Sequence, residues 1–450
     1  MRQLVVVVAA LSAASCSAVL HFHECDTSAD CAGRGNGTTL YCNVDHQCID
    51  SSPCYVSQDA PKGSSPLVIA GLYLSSEPSD GPNDHAIRQA VDLAAFELNN
   101  LSVPVRHVAC DTGGDNDTAL KAFDIAVTQF HAVAIVGPNT SSELLALVPE
   151  AKSRGVAVVS PAATAAAISD VVDDNLVWRT CPSDNLQAKV LAGLVPKTAT
   201  PLDVVWVQND PYADGLAKAY IAESGRADAT PIQFMSGDDT AAVAMMNAPA
   251  YAVLVVDVDA PAMVQALHGA SGQSMTQYLM TDSALTPTLW GAGPFDFTFL
   301  SRIRGTAPAL PAFTDPSGPA YAAFAVSYRG HWNQEDPADT AFVADAYDAA
   351  YAIAIGAAAA GASSATGRAI AANLARMSDT ANGMKVQIGS DYQVGVNALV
   401  GGSTIDLVGT SGPIDWDEKG DVLTAPIEVW QVGQDASAMP AFKVLSTQNP

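Results

Sequence analysis

From Leu67 onward the chain alternates short, Val-rich apolar runs with longer stretches of helical periodicity, and few folds can absorb that pattern. Runs at 67–74, 105–109, 132–136, 156–159, 204–207 and 253–256 have the length of single strands, and most are apolar at consecutive positions. A strand with apolar side chains on both faces belongs in a parallel sheet covered by helices on either side. Over 86–99, Ile87, Ala90, Val91, Ala94 and Leu98 recur on one helix face. The pattern predicts an α/β fold without internal repeats. The roughly 385 residues after position 66 exceed one comfortable core, so two lobes are expected.

In such sheets ligands bind beyond the carboxyl ends of the strands, so the loops there are the places to search. The loop Val136-Gly-Pro-Asn-Thr-Ser-Ser-Glu143 follows one strand run. Thr140 and Glu143 have the spacing of a capping box. Ser141 and Ser142 then fall in the first helical turn, where amides have no intrahelical partner. Those amides, the positive dipole end and two hydroxyls suit a carboxylate, although an ordinary helix start reads the same way. The next loop, Ser160-Pro161-Ala162-Ala163-Thr164, has small residues that allow close backbone approach and one hydroxyl.

Charge narrows the partners. Lys plus Arg total 21 against 47 Asp plus Glu, a net −26 over 450 residues. A chain of that sign repels phosphate backbones and anionic lipid, which argues against nucleic acid as a partner. The acids are scattered as on a solvated surface.

Residues 1–18 read as an export signal, with Arg2, an apolar run from Leu4 to Leu11, and small residues to Ala18. The run falls well short of the ~20 residues that span a bilayer. The Ala-rich stretch 342–361 is interrupted by Asp345 and Asp348, each costly at a membrane centre. Ala13-Ala14-Ser15-Cys16 resembles a lipobox with Cys16 as the acylated residue, and cleavage after Ala18 is the alternative. The only membrane attachment expected is such a lipid anchor.

Cys25, Cys31, Cys42, Cys48 and Cys54 crowd the segment that follows, and an exported chain meets oxidising conditions. A disulfide-stapled head over 19–56 is expected, with 57–66 as a linker. His21, His23 and His46 make zinc a rival, but the cysteines lack the tight spacing of structural zinc sites. Connectivity stays open, including the fates of Cys54, Cys110 and Cys181.

Several strings together carry a family resemblance from Leu67 to Val432. RQAVDLAAFELN, CDTGGDNDTA, AIVGPNTSS, VVSPAAT, VWRTCPSDNLQA, NDPYADGLA and GPIDWDEKGD followed by IEVWQV resemble, in order and spacing, the type I periplasmic binding proteins, in particular the branched-chain amino acid branch. The resemblance implies two parallel-sheet αβα lobes joined by three crossovers, 67–180 with 306–410 and 181–305 with 411–450. It also implies a small ligand closed between them, no catalysis and no cofactor. Carried over by position, Ser141, Ala162 and Thr164, with neighbours Ser142 and Ala163, hold an α-carboxylate and assist an ammonium group. Tyr212 contacts the ligand, and Asp282 faces the ammonium. Asp259 and Asn83 stand near positions where that branch carries aromatics, so a polar side chain is expected on the ligand instead of leucine, isoleucine or valine.

Enzyme motifs are missing: no H-E-x-x-H, G-x-S-x-G, Walker lysine loop or G-x-G-x-x-G after a strand. The nearest string, Gly409–Gly412, is one residue short of a nucleophile elbow. Uptake through an ABC permease is the first functional expectation, and a ligand sensor of the same fold is the second. Glycosylation strings at Asn36, Asn100, Asn116 and Asn139 matter only in a glycosylating host.

Overall fold

The computed structural model describes residues 24–25, 28–31, 34, 40–42, 47–49, 53–76, 81–270, 275–291, 294, 296–312 and 315–450. The leader with Cys16, and His21, His23 and His46, lie outside the described residues. Residues 1–50 form one compact unit and 51–450 a second.

In the small unit, β1 (Tyr41–Cys42) pairs antiparallel with β2 (Cys48–Ile49). Cys31 is bonded to Cys48, and Cys25 is also disulfide-bonded. The Cys25, Cys31 and Cys48 sulfurs lie within 4.8 Å of one another, as a metal site would require, but disulfide bonding uses all three. The side chain of Cys42 lies outside the described residues.

The large unit is built around two sheets. The first has β3 (Cys54–Gln58), β4 (Leu67–Tyr73), β5 (Val105–Asp111), β6 (Ala134–Val136), β7 (Ala157–Ser160) and β8 (Val177–Arg179) in the order β3-β5-β4-β6-β7-β8. All pair parallel except the edge strand β3, which runs antiparallel to β5. That strand corrects two expectations, the end of the head at 56 and a linker beginning at 57. Its alternating burial and its polar Ser57 and Gln58 hide it from a search for apolar runs. The Cys54–Cys110 disulfide fastens it, and Arg106 Nε donates to Asp59 Oδ1 at 2.8 Å just beyond its end.

The second sheet contains β9 (Leu202–Val207), β10 (Thr230–Phe234), β11 (Tyr251–Val255), β12 (Gln277–Met280) and β13 (Ile303–Pro308). A short parallel pair, β14 (Met384–Gln387) and β15 (Ile405–Val408), stands apart from it. The second sheet closes with β16 (Ile427–Gln434) and β17 (Pro440–Gln448), in the order β10-β9-β11-β12-β13-β16-β17. The last two strands are antiparallel, so both sheets are mixed at one edge rather than wholly parallel.

The first lobe packs α1 (Gly81–Asn100), α2 (Asn116–Thr128) and α3 (Ser141–Arg154) on its sheet. The second has α4 (Asp184–Leu194), α5 (Pro211–Ser224), α6 (Asp239–Met245), α7 (Ala260–Gly269) and α8 (Phe297–Leu300). The chain then returns to the first lobe through α9 (Gly318–His331), α10 (Val343–Ala359), α11 (Gly367–Leu374) and α12 (Tyr392–Val400). The Ala-rich stretch is α10, a helix buried at 343–357, whose small side chains let neighbours approach from every side. Among the described residues no helix is long and apolar enough to cross a membrane.

The two cores locate the crossovers. Ala307 belongs to the second core while Leu310 packs on the first, so the second crossing follows Pro308 and not 305. Ile414, Trp416 and Val422 lie in the first core, and the Trp416 ring stacks edge-on against Trp178 at 5.1 Å. The third crossing therefore falls shortly before β16 and not at 410.

Candidate functional site

The loop after β6 is shaped by Gly137, whose φ is +97°, and a Cβ there would lie 2.7 Å from the Leu72 carbonyl oxygen. This close approach delivers Thr140 to the helix start, where its Oγ1 accepts from Glu143 N at 3.4 Å. Burial pushes the Glu143 carboxyl up to about 7. Ser141 Oγ accepts from Ala165 N at 3.1 Å, and Ser160 Oγ donates to Pro138 O at 2.7 Å while accepting from Ala163 N at 3.1 Å. These bonds lock the two loops into one surface, with the first-turn amides of α3 at its edge.

The facing wall comes from the second lobe. Asp210 caps α5, placing Tyr212 in its first turn, and the Tyr212 hydroxyl bonds Thr281 Oγ1 at 2.7 Å and Asp282 Oδ1 at 2.9 Å. Asp282 opens the short turn after β12 and is 3% exposed. Burial raises its carboxyl, against hydrogen bonds from Gln187 and Tyr212 that lower it. Asp184, at the first position of α4, is fully buried beside it. Burial, then repulsion by Asp282, holds Asp184 well above the usual carboxylate range. The Thr164 hydroxyl stands next to this carboxylate, yet neither group completes a hydrogen bond at good geometry.

Between the walls lies a cavity of about 60 Å³. Of the residues singled out from sequence, Asn83, Ser141, Ala162, Tyr212 and Asp282 line it. Ala163 and Thr164 are buried in the adjoining loop, and Ser142 sits half-buried one position into α3. Asp259 is turned elsewhere, its Oδ1 accepting from Ser236 Oγ at 3.1 Å and Gly237 N at 3.3 Å. Asp257, two residues earlier with φ +44°, lines the cavity in its place.

Sequence reasoning also missed Asp84, Asn139 and Phe342, which line the cavity, and Asp184, which is buried beside Asp282 but does not line it. Asp84 Oδ1 accepts from Asn139 Nδ2 at 2.9 Å, and its other oxygen accepts from Leu74 N. Asp184 sits in the quoted string CPSD, but a Ser-Asp pair before a helix reads as a cap, and Ser183 does fill that position.

Arg179 is the buried cation nearby, and it is committed to Asp421 at 2.6 Å and to the carbonyls of Ala163 and Ala165. Cys181 is buried, with its thiol pushed up by burial, and it contacts the Ala163 carbonyl rather than a base. The arrangement can hold a carboxylate on one wall and a positive group on the other, and it presents no activated nucleophile.

Comparison with known proteins agrees with the geometry. Residues 66–421 match the family model described as periplasmic binding protein. The fold is similar to that of the branched-chain amino acid transporter substrate binding protein LivJ from Streptococcus pneumoniae, in complex with isoleucine. That likeness has a TM-score of 0.65 at 19% identity, covering 86% of this chain and 100% of that one. It is equally similar to a solute binding protein of an ABC transporter from Rhodopseudomonas palustris BisB5, in complex with 3,4-dihydroxy benzoic acid. Here the TM-score is 0.65 at 12% identity, with 86% and 98% covered. A curated relative is the chemotactic signal transduction system substrate-binding protein BasB of Halobacterium salinarum, 28% identical over 225 residues, which are 46% of this chain. The match spans about half of that protein, 52% of its length. With most of its length fitting the family model and its two lobes enclosing a cleft, this chain belongs to the periplasmic binding protein family, whose members bind solutes and are not enzymes.

Proposed function

We propose that the chain captures an α-amino acid between its lobes, for delivery to an ABC-type permease on the extracytoplasmic side. The observation that carries this reading is the cavity shared by Asp282 and Tyr212 of the second lobe and Thr140 and Ser141 at the start of α3, with Asp184 buried beside Asp282 and both its oxygens short of donors. An ammonium group supplies three donors and a compensating charge there, and the ligand carboxylate takes the first-turn amides. Closing the cleft removes water from both contacts, which strengthens them. Ser141 and Thr164 serve from the first lobe, Tyr212 and Asp282 from the second, so the ligand bridges the hinge and favours the closed form.

The test is isothermal titration of the full chain against the common amino acids. Binding of at least one is expected, with Asp282→Ala weakening it about 10-fold or more because one buried counter-charge is lost. An unchanged dissociation constant removes Asp282 from the site.

A sensory role is the second reading, favoured by the likeness to the chemotactic protein. Ligand-dependent binding to a chemoreceptor, with no stimulation of a permease ATPase, distinguishes it from uptake. Under either reading the leader exports the chain, and Cys16 is its proposed lipid anchor.

A further inference from the structure

Asp184 carries a carboxyl that its surroundings leave without support. It is fully buried, and neither of its oxygens has a hydrogen-bond partner. Thr164 Oγ1 beside it is likewise buried and unpartnered, although the Asp184 amide donates to Thr164 O at 2.9 Å. Arg179 of β8 attracts the carboxylate, but its guanidinium is engaged by Asp421 at 2.6 Å and by two carbonyls. The other titratable groups facing Asp184 offer nothing. Asp282, after β12, and Asp210, before α5, are acids that repel its charge. Tyr212 of α5 spends its hydroxyl on Thr281 and Asp282. The Cys181 thiol is held neutral by burial, and Asp345 of α10, near that thiol, is another buried acid. Asp84 and Asp257 add two more acids to the cavity lining.

An ionised carboxylate in that setting has no donor to offset its lost hydration. A proton removes the difficulty. It neutralises one of two adjacent acids and supplies an O–H that the other acid, or the Thr164 hydroxyl, accepts. Burial, then the neighbouring Asp282, shifts Asp184 in that direction, and burial does the same for Asp282. The unliganded pair therefore keeps a proton where an ordinary aspartate has lost it. The ligand ammonium meets this pair at Asp282, which lines the cavity. It brings a full positive charge and three donors, which favour the ionised form of both acids. The proton is then superfluous, and it passes to water as the ion pair forms.

We infer that capturing the ligand expels a proton from the Asp184–Asp282 pair, so that the cleft binds more tightly as pH rises and releases its ligand in acid. The inference rests on the α-amino acid reading, which itself requires only that the ammonium meet Asp282. Titration calorimetry of the full chain with its tightest-binding common amino acid, run in phosphate and in Bis-Tris, counts the protons from the difference in heat. Between about pH 5.5 and about pH 7 a free amino acid keeps both charges, so a released proton comes from the protein. Release of a substantial fraction of one proton per ligand is expected, with affinity rising several-fold across that interval. Asp184→Asn should abolish most of the release, and Asp282→Asn is a second variant with the same expectation. Equal heats in the two buffers, with an affinity that does not rise with pH, overturn the expelled proton and leave the amino acid reading standing. Release undiminished in both variants also overturns it, because the proton then comes from elsewhere. Absence of binding with every common amino acid overturns both readings.

Discussion

Asp184 and Asp282 are the residues on which the binding account turns. Both carboxyls are pushed upward by burial, and Asp184 is raised further by its neighbour. Two like charges in a dry site are unfavourable until a cation stands between them. Asp184→Asn is therefore expected to keep the fold while weakening amino acid binding by about 10-fold or more, read by titration calorimetry. Binding at the wild-type level would show that the ammonium is held elsewhere. Asp282 and Tyr212 were legible in the sequence because their strings fall in order along a family pattern. Asp184 was not, because an acidic residue after Ser183 has a complete local explanation as part of a helix start. Asp257 was displaced by two positions to Asp259, since both lie in one turn and only the backbone, left-handed at Asp257, decides which enters the cleft.

Among the elements, β4, β5, β6, β7, β9 and β11 followed from apolar runs and the helix start at Thr140 from its capping box, whereas the start of α5 at Asp210 did not. The edge strand β3 did not. Half of its surface faces outward, so it lacks a continuous apolar run, and the disulfide to Cys110 does part of the work of holding it. That bond closes a loop with a separation of 56 residues, worth about 2–4 kcal/mol by restricting the unfolded chain. Replacing Cys54 and Cys110 together with Ala should lower the thermal midpoint of the large unit by several degrees. An unchanged midpoint would mean that the strand docks by its own packing. The antiparallel ending of the second sheet was equally hidden, because β17 is exposed along most of its length and reads as tail.

At the scale of the molecule, three crossovers meet around a cavity lined by Pro182, Ala309, Ala425, Asp345 and Glu428. Glu428 sits on β16 beside this hinge, and burial pushes its carboxyl up to about 7. A carboxyl raised in the folded state stabilises the fold while protonated. That contribution is complete below the ordinary value of 4.5 and is lost as pH rises through about 7. Glu428→Gln should therefore gain about 1–3 kcal/mol over the parent chain at pH 8 and almost nothing at pH 4.5, in chemical denaturation. An equal gain at both would assign the effect to packing against its neighbours, Tyr321 included. The two-lobe plan was legible from chain length and strand composition. The crossover positions were not, since β13 runs on to Pro308 by pairing with β16 and the segment 411–425 joins the first core, two long-range effects that the local sequence does not announce.

Two-ended capture is tested most directly by calorimetric titration of the full chain with its tightest amino acid and two blocked forms, the Nα-acetyl derivative and the α-carboxamide. Each block should weaken binding at least 10-fold, one by removing the charge that faces Asp184 and Asp282, the other by removing the anion at the head of α3. Either blocked form binding as tightly as the parent amino acid would contradict two-ended capture.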